Sequence, residues 1–171
     1  GANGDTMCNL CPPGKFNEHA GGNNSDSCSS CKTGKVANES GSITCFECKP
    51  GYIALGGNFP SSGATMCQAC TVGKANSIKG ECRSCEKGKY QNEQGKLICK
   101  NCIEGKFSSN YGLSQCSECA PGQYANAPKL KSCSLCHSGK YSNAAGSIVC
   151  KTCEPGRTTS EDGMIKCLKC P

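Results

Sequence analysis

CSLCHSGKYSNAAGSIVC, at residues 133–150, shows the pattern on which the fold depends. It contains a C-x-x-C motif, a glycine three residues after the second cysteine, an apolar residue two positions later and the first cysteine of the next motif. The 171-residue chain has ten C-x-x-C motifs, which account for all 20 cysteines. Six of the nine intervals between motifs are 17 residues long, and the last five are unbroken. Fixed spacing of this kind is typical of a linear array in which each unit contacts its neighbours.

Glycine and apolar positions keep the same phase as the cysteines. A turn glycine follows the second cysteine by three residues in all nine units, and glycine adopts positive φ without strain, so each unit is predicted to turn there. An apolar residue, predicted to plug the unit, follows two residues later, and a second glycine precedes most motifs by four residues. The turn glycines are Gly14, Gly34, Gly51, Gly73, Gly88, Gly105, Gly122, Gly139 and Gly156; the plugs are Phe16, Val36, Ile53, Ala75, Tyr90, Phe107, Tyr124 and Tyr141, with Thr158 as the exception; the second glycines are Gly4, Gly41, Gly63, Gly95, Gly112, Gly146 and Gly163.

Composition indicates that cross-links replace a hydrophobic core. Leu, Ile, Val and Phe together contribute only 21 residues, whereas ordering each residue costs roughly 1–2 kcal/mol of backbone entropy. Closing a loop of about 15 residues with a disulfide is worth roughly 3 kcal/mol. Because the cytosol keeps thiols reduced, an oxidising, extracellular compartment is expected.

The predicted fold is a set of small disulfide-rich repeats. Glycine interrupts every unit and no apolar 3.6-residue period is present, so helices are not expected. Segments such as 88–92 and 96–99 are predicted to form two short arms around a turn at 93–95. The result is an elongated rod of about nine to ten irregular β-hairpin units with little regular secondary structure. Residues 1–171 are expected to form a single array, irregular at 8–81, regular at 82–170 and cut from a longer array.

The phrase C-x-x-C-x-x-G-K-Y-x-N-x-x-G-x-x-x-C, present at Cys133–Cys150, resembles the ephrin-receptor-like cysteine-rich repeat. Long arrays of this repeat occur in surface proteins of ciliates and other protists. The Gly-x-aromatic step is also similar to the first module of tumour-necrosis-factor-receptor cysteine-rich domains. The resemblance implies an extracellular location, disulfides and no catalysis, but it does not choose among receptors, coats and adhesins.

The resemblance also implies a disulfide pairing, in which the cysteine before each turn glycine bonds to the first cysteine of the following motif. Cys8 and Cys170 are then left for flanking repeats. A rival scheme pairs adjacent motifs crosswise, as in Cys8–Cys28 with Cys11–Cys31, and spacing alone does not decide between the two. The implied pairs are Cys11–Cys28, Cys31–Cys45, Cys48–Cys67, Cys70–Cys82, Cys85–Cys99, Cys102–Cys116, Cys119–Cys133, Cys136–Cys150 and Cys153–Cys167.

The sequence fits a metal site or a catalytic site less well than it fits an array of disulfides. Paired C-x-x-C motifs 15–20 residues apart have the spacing of four-cysteine zinc sites, so a zinc array is the third hypothesis. The motifs nevertheless form one series and do not group into separate couples. A redox-active C-x-x-C needs a helix N-terminus, which is not predicted here. The two histidines, His19 and His137, are expected in exposed loops, and no cofactor and no enzyme activity are predicted.

The charged residues and two N-glycosylation sequons bear on which partners the chain would bind. The net charge of +6 comes without a block of like charge, which argues against nucleic-acid binding. The residue after the turn glycine is basic in seven units, and this ladder either protects exposed strand edges or meets anionic glycans. Asn23 and Asn38 begin N-glycosylation sequons. The ladder consists of Lys15, Lys35, Lys74, Lys89, Lys106, Lys140 and Arg157.

These patterns favour an extracellular structural protein of a cell coat, surface appendage or fibre. Its partners would be other copies of itself or other surface or matrix proteins, and any membrane anchor would lie outside this segment. The alternative is a receptor or adhesin ectodomain that binds a protein or glycan. Irregular units favour the adhesin, whereas the uniform run from Cys82 to Cys167 favours the structural protein.

We expect two or fewer free thiols in the isolated 171-residue chain, because every cysteine belongs to the repeat pattern. Thiol titration under denaturing, non-reducing conditions measures this number. Reduction should convert the native chain to a disordered one, as followed by circular dichroism, since the apolar residues are too few to hold it. Many reactive thiols, or several zinc ions per chain that a chelator removes, would contradict the disulfide hypothesis.

Overall fold

A computed structural model describes residues 10–19, 27–57, 62–76 and 81–170. Within these ranges the chain forms nine two-stranded antiparallel sheets and no α-helix, and each odd-numbered strand pairs with the strand that follows it. The strands are β1 (Lys15–Phe16), β2 (Ser29–Ser30), β3 (Lys35–Val36), β4 (Phe46–Glu47), β5 (Tyr52–Leu55), β6 (Met66–Ala69), β7 (Lys74–Asn76), β8 (Cys82–Ser84), β9 (Lys89–Tyr90), β10 (Lys100–Asn101), β11 (Lys106–Phe107), β12 (Ser117–Glu118), β13 (Gln123–Tyr124), β14 (Ser134–Leu135), β15 (Lys140–Tyr141), β16 (Lys151–Thr152), β17 (Arg157–Thr158) and β18 (Leu168–Lys169). The predicted array of small β-hairpins is confirmed.

The second arm of each hairpin lies later in the chain than the sequence predicted. The expected second arm at 96–99 is wrong, because residues 97 and 98 form a bend and β9 pairs with β10, the two residues between Cys99 and Cys102. The amide of Cys102 donates to the carbonyl of Gly88 at 2.9 Å and closes the ladder. A cystine therefore flanks the short ladder directly, and the loop between the strands needs no strand pairing of its own.

The chain divides into two compact bodies, each described here by itself. The N-terminal body comprises Gly1–Cys70 and Asn76–Cys82, and the C-terminal body comprises Thr71–Ala75 and Arg83–Pro171. The chain passes between them in the stretch where the motif spacing is irregular. The longest interval between motifs is 22 residues. Part of that length extends the hairpin, since β5 and β6 pair over four residues each, and 58–61 lie outside the described residues.

The turn glycines adopt positive φ, as predicted. Gly105 has φ of 77° and Gly122 of 83°. The second glycine position also requires positive φ, and in one repeat a lysine occupies it. Lys129, at φ of 64°, is the one non-glycine residue with positive φ among the described residues. A side chain in this conformation costs roughly 1–2 kcal/mol, so the surrounding backbone contacts must hold it there.

Within the C-terminal body, each repeat from the Cys85 repeat onward, named by the cysteine that begins it, stacks on the next through three backbone hydrogen bonds. In the step from the Cys102 repeat (102–116) to the Cys119 repeat (119–133), Gly105 donates to Ala125 at 2.8 Å, Ser108 to Leu130 at 3.2 Å, and Lys129 back to Cys102 at 2.9 Å. The same three bonds recur in every step from the Cys85 repeat to the Cys153 repeat. Because all donors and acceptors are main-chain groups, the stack requires almost no particular side chain.

The interior of the stack differs from the predicted one. The apolar plugs were expected inside, but most are only half-buried and Thr158 is exposed. The deepest side chains are the second cysteines of the motifs and the residue one position after the plug, which we call the inner position. This position lies between stacked backbones and therefore holds mainly small residues. Its buried members are Ala37, Ala54, Gln91, Ser108, Ala125, Ser142 and Thr159.

Large apolar side chains contribute little to this interior. Gln91, the one long residue in the inner column, satisfies its own amide by donating to the carbonyl of Ile98 at 2.7 Å and accepting from the amide of Glu93 at 3.1 Å. Ile98 is 76 % exposed and Val149 is 66 % exposed. The described part of the chain is thus held by cystines and main-chain hydrogen bonds, with only a small apolar cluster of Val36, Ala54 and Ala64 in the N-terminal body.

Five of the turn glycines also approach the backbone of the second repeat along, namely Gly14, Gly73, Gly88, Gly105 and Gly122. A Cβ on Gly122 would lie 2.0 Å from the carbonyl oxygen of Gly163, whereas a Cβ on Gly139, at nearly the same φ, would meet nothing within 4 Å. Alanine substitutions at these two glycines therefore separate two contributions to the free energy of unfolding, that of positive φ and that of a collision with backbone atoms.

We expect Gly139→Ala to lower the free energy of unfolding by about 1–2 kcal/mol, the cost of a left-handed alanine. Gly122→Ala should cost more than about 4 kcal/mol, because a backbone carbonyl must also move. Guanidinium unfolding with disulfides intact, combined with amide exchange at Ser142, measures both. Equal losses for the two variants would show that the second-neighbour contact does not hold the stack together.

Candidate functional site

Nine disulfides form the rigid framework of the described chain. Each joins the second cysteine of one motif to the first cysteine of the next, with Cα–Cα distances between 5.4 and 5.8 Å. The structure thus brings together the nine pairs that the family resemblance implies. Cys170 is exposed and carries a free thiol, and Cys8 lies outside the described residues. The pairs are Cys11–Cys28, Cys31–Cys45, Cys48–Cys67, Cys70–Cys82, Cys85–Cys99, Cys102–Cys116, Cys119–Cys133, Cys136–Cys150 and Cys153–Cys167.

The two members of each disulfide differ in burial. The second cysteines of the motifs at Cys31, Cys70, Cys102, Cys119 and Cys136 are 0 % exposed, whereas the first cysteines are mostly half-buried. Each cystine therefore links the interior of a repeat to its surface. Over the ranges that the structure describes, no group of three or more His, Cys, Asp or Glu side chains is arranged to hold a metal ion.

The basic ladder is not a continuous positive stripe. Lys35 and Lys106 lie opposite Glu47 and Glu118 across their hairpins and form ion pairs of 3.3 and 3.2 Å. Lys89 binds Glu86 at 2.9 Å. Exposed pairs of this kind contribute little to stability, but they neutralise three of the seven ladder positions.

Histidines and sequons occupy the surface. His19 is exposed, and its backbone amide donates to Asn17 at 3.1 Å. His137 Nδ1 lies 3.0 Å from Asp162 Oδ2 in the next repeat, and the amide of Ser138 donates to the other oxygen of Asp162 at 2.9 Å. These two hydrogen bonds, that of His137 first, hold the pKa of the Asp162 carboxyl below its ordinary value.

The two sequons differ in what the structure shows of them. Asn38 is exposed at the start of a loop, so its side-chain amide is open to modification. Asn23 lies outside the described residues.

A shallow cavity of about 220 Å³ lies between the Cys136 and Cys153 repeats. Tyr141 of β15 lines one side, and Glu154, Arg157, Lys166 and Cys167 line the rest. The sequence did not single out this group, because its members come from different phases of two repeats and share no local motif. Two cations, one carboxylate and one aromatic ring nevertheless make it a chemically distinct surface feature.

A second charged group lies in the Cys85 repeat. Glu93 accepts from Lys100 at 2.6 Å and from Lys96 at 2.9 Å, and Lys100 also donates to Asn92 at 2.9 Å. The hydrogen bond from Lys100, then that from Lys96 and their positive charges, lower the pKa of Glu93 to about 2. These ion pairs and hydrogen bonds hold the loop between β9 and β10 against β10.

Comparison with known proteins gives one family. Residues 73–108, which span β7 to β11, match the model of the tyrosine-protein kinase ephrin type A/B receptor-like family. These residues are similar to that family. The same disulfide-bonded hairpin repeats along the described chain, so the whole array fits the ephrin-receptor-like cysteine-rich repeat. Comparison with curated proteins finds no match.

The ephrin-receptor-like repeats and the nine disulfides indicate a disulfide-stabilised protein of extracellular or surface location. The residues that the structure describes contain no helix with the length and apolar character needed to cross a bilayer.

We expect the carboxyl of Glu93 to titrate near 2 in the folded chain, against an ordinary value of 4.5. A lowered folded-state pKa means that the contribution of Glu93 to stability is complete above about pH 4.5 and is lost as the pH falls towards 2. Carboxyl-carbon NMR shifts report the titration. Lys100→Gln should raise the pKa of Glu93 more than Lys96→Gln does, since Lys100 makes the stronger hydrogen bond. An unchanged titration in both variants would exclude the lysine pairs as the cause.

Proposed function

We propose that the array is a non-enzymatic, extracellular structural element of a cell coat, surface appendage or fibre. The observation that carries this proposal is the main-chain stack, in which four consecutive steps use the same three hydrogen bonds. A contact that depends on the backbone alone tolerates change in nearly every exposed side chain. Repeats of this kind can be added without a new interface for each one. This property suits a protein that forms a long and durable structure.

Exposed apolar side chains support association with other copies or with other matrix proteins. Leu97 and Ile98 are 53 % and 76 % exposed, and Ile148 and Val149 occupy the same two phases three repeats later at 54 % and 66 %. Side chains of this kind are left over after the stack has formed, because the interior takes mainly cysteine and small residues. Exposed apolar surface of this sort is typical of interaction sites, so lateral contacts between arrays are the expected use.

The alternative function is a receptor or adhesin ectodomain. The cavity between the Cys136 and Cys153 repeats favours it, since Arg157 and Lys166 form no ion pair within the described residues and Tyr141 adds an aromatic ring to the same cavity. A surface site on one pair of repeats is compatible with either function, because the remaining repeats can still act as the rigid support.

Labelling of intact source cells with an antibody against this chain, observed by electron microscopy, tests the structural role. We expect label along a continuous coat, appendage or fibre, together with release of the chain by reductant and denaturant but not by denaturant alone. Scattering from the purified monomer should match an elongated particle on the order of 100 Å long, with about 10 Å added per hairpin, and not a sphere about 30–35 Å across.

Two results would contradict the structural role. One is label dispersed over the cell surface, with the chain recovered in stoichiometric complex with a soluble ligand, which favours a receptor. The other is a compact radius of gyration, which removes the physical basis for an extended element.

A further inference from the structure

Cations in the last two described repeats lack the acidic partners found earlier in the chain. The C-terminal body carries 14 Lys and Arg against 7 Asp and Glu, a net charge of +7, whereas the N-terminal body carries 5 against 6, a net charge of −1. In the Cys85 and Cys102 repeats, glutamates bind Lys89, Lys96, Lys100 and Lys106. Among the described residues, no ion pair involves the exposed cations of 139–170, namely Lys140, Lys151, Arg157, Lys166 and Lys169.

Strand register explains why Arg157 stays unpaired. Lys106 faces Glu118 across its hairpin, but Arg157, at the same phase, faces Lys169. Like charges directly opposite each other destabilise a hairpin, so folding does not account for this arrangement. The guanidinium makes one long hydrogen bond, from Nη1 to the carbonyl of Cys167 at 3.4 Å, which keeps it at the cavity and leaves its other donors available.

The exposure of Arg157 follows from its position in the hairpin. Lys106, at the same phase in a repeat that is stacked on both sides, keeps 38 % of its side chain exposed, and Lys89 keeps 34 %. A residue one position after the turn glycine therefore keeps about a third of its side chain exposed even inside the stack. Arg157 can reach a ligand wherever its repeat lies in the array.

The charged lining of the cavity belongs to this pair of repeats alone. The backbone positions that hold Tyr141, Glu154, Arg157 and Lys166 recur in each earlier step of the C-terminal stack. Only the last pair combines two unpaired cations, a carboxylate and an aromatic ring there. One repeat earlier the four positions hold Tyr124, His137, Lys140 and Val149, and two repeats earlier they hold Phe107, Ala120, Gln123 and Ser132.

We propose that this cavity binds an acidic polysaccharide through a sulfate or carboxylate group. The planar guanidinium of Arg157 can bind such a group with two parallel hydrogen bonds, and Lys166 adds a second charge at the same cavity. The Tyr141 ring offers an apolar face for a sugar ring, and Glu154 can accept hydrogen bonds from sugar hydroxyls.

The presence of Glu154 and the size of the cavity favour a polysaccharide over other anionic ligands. A carboxylate in the lining repels a uniform polyanion but suits a chain that alternates acidic groups with hydroxyls. About 220 Å³ is less than the roughly 300–1,000 Å³ of sites for whole small molecules, so the cavity would hold one sugar of a longer chain. The inference stands whether the array serves as a structural element or as an adhesin.

The test uses the intact 171-residue chain and two variants with equal net charge. Binding to immobilised heparin and to polygalacturonate is measured near 0.15 M salt, with neutral dextran as the negative probe. We expect Arg157→Gln/Lys166→Gln to bind at least about tenfold more weakly, since two charge-assisted contacts are lost. The matched control, Lys89→Gln/Lys106→Gln, removes the same charge from ion-paired sites and should change affinity less than about twofold.

Tyr141→Ala and its control Tyr124→Ala test the sugar-binding face independently of charge. Only Tyr141→Ala should weaken binding, with unchanged thiol titration and circular dichroism. Equal loss in the two charge variants would reduce the effect to net charge and overturn the site, as would failure to bind both polysaccharides. Stronger binding to polyglutamate or to phosphatidylserine vesicles, with the same dependence on Arg157, would assign the site to an acidic peptide or a lipid surface instead.

Discussion

A single covalent link, from the second cysteine of one motif to the first cysteine of the next, is the constraint on which the remaining structure depends. Loops of 14 residues recur from Cys85 to Cys167, and each closure removes roughly 3 kcal/mol of chain entropy from the unfolded state. The strands are only two residues long in most hairpins and would not persist alone. Once the cystine fixes both ends of the loop, the two short strands can pair and the turn glycine can take its positive φ. The stacking amides then lie in position to bond the next repeat.

The second level of organisation is main-chain contact between repeats, and it determines where variation is allowed. Gly105 and Ala125 are joined through backbone atoms, and the inner column admits Ala, Ser, Thr or a self-satisfied Gln without change in the stack. Side chains on the outer face take no part in the main-chain stack. That freedom is why Glu93 can collect two lysines in one repeat while Arg157 and Lys169 face each other in another.

Sequence patterns predicted the features that a single residue type imposes. Positive φ at Gly105 or Gly122 followed from glycine alone, and the hairpin architecture followed from the cysteine spacing. Sequence patterns did not predict burial or strand formation where the position of a residue in the stack matters more than its type. Ser108 and Gln91 are buried although both are polar, and Lys100 and Asn101 form a strand although neither favours one. The Tyr141 cavity was missed for a related reason, because Tyr141 comes to lie beside Glu154 and Lys166 only after two repeats have stacked.

The short route that covalent bonds take through each repeat has a mechanical consequence. A pulling force on the Cys102 repeat passes from Cys102 across the cystine to Cys116, 5.8 Å away, and then along three residues to Cys119. At about 3.4 Å per residue, this path measures about 16 Å, against about 58 Å for the same 17 residues without the cross-link. Tension can therefore lengthen the oxidised array from about 10 Å to at most about 16 Å per repeat, even when every hydrogen bond has broken. Reduction would raise the fully stretched length to about 58 Å per repeat, about 3.6 times that of the oxidised array, so the redox state of the surroundings sets how far the material can be extended.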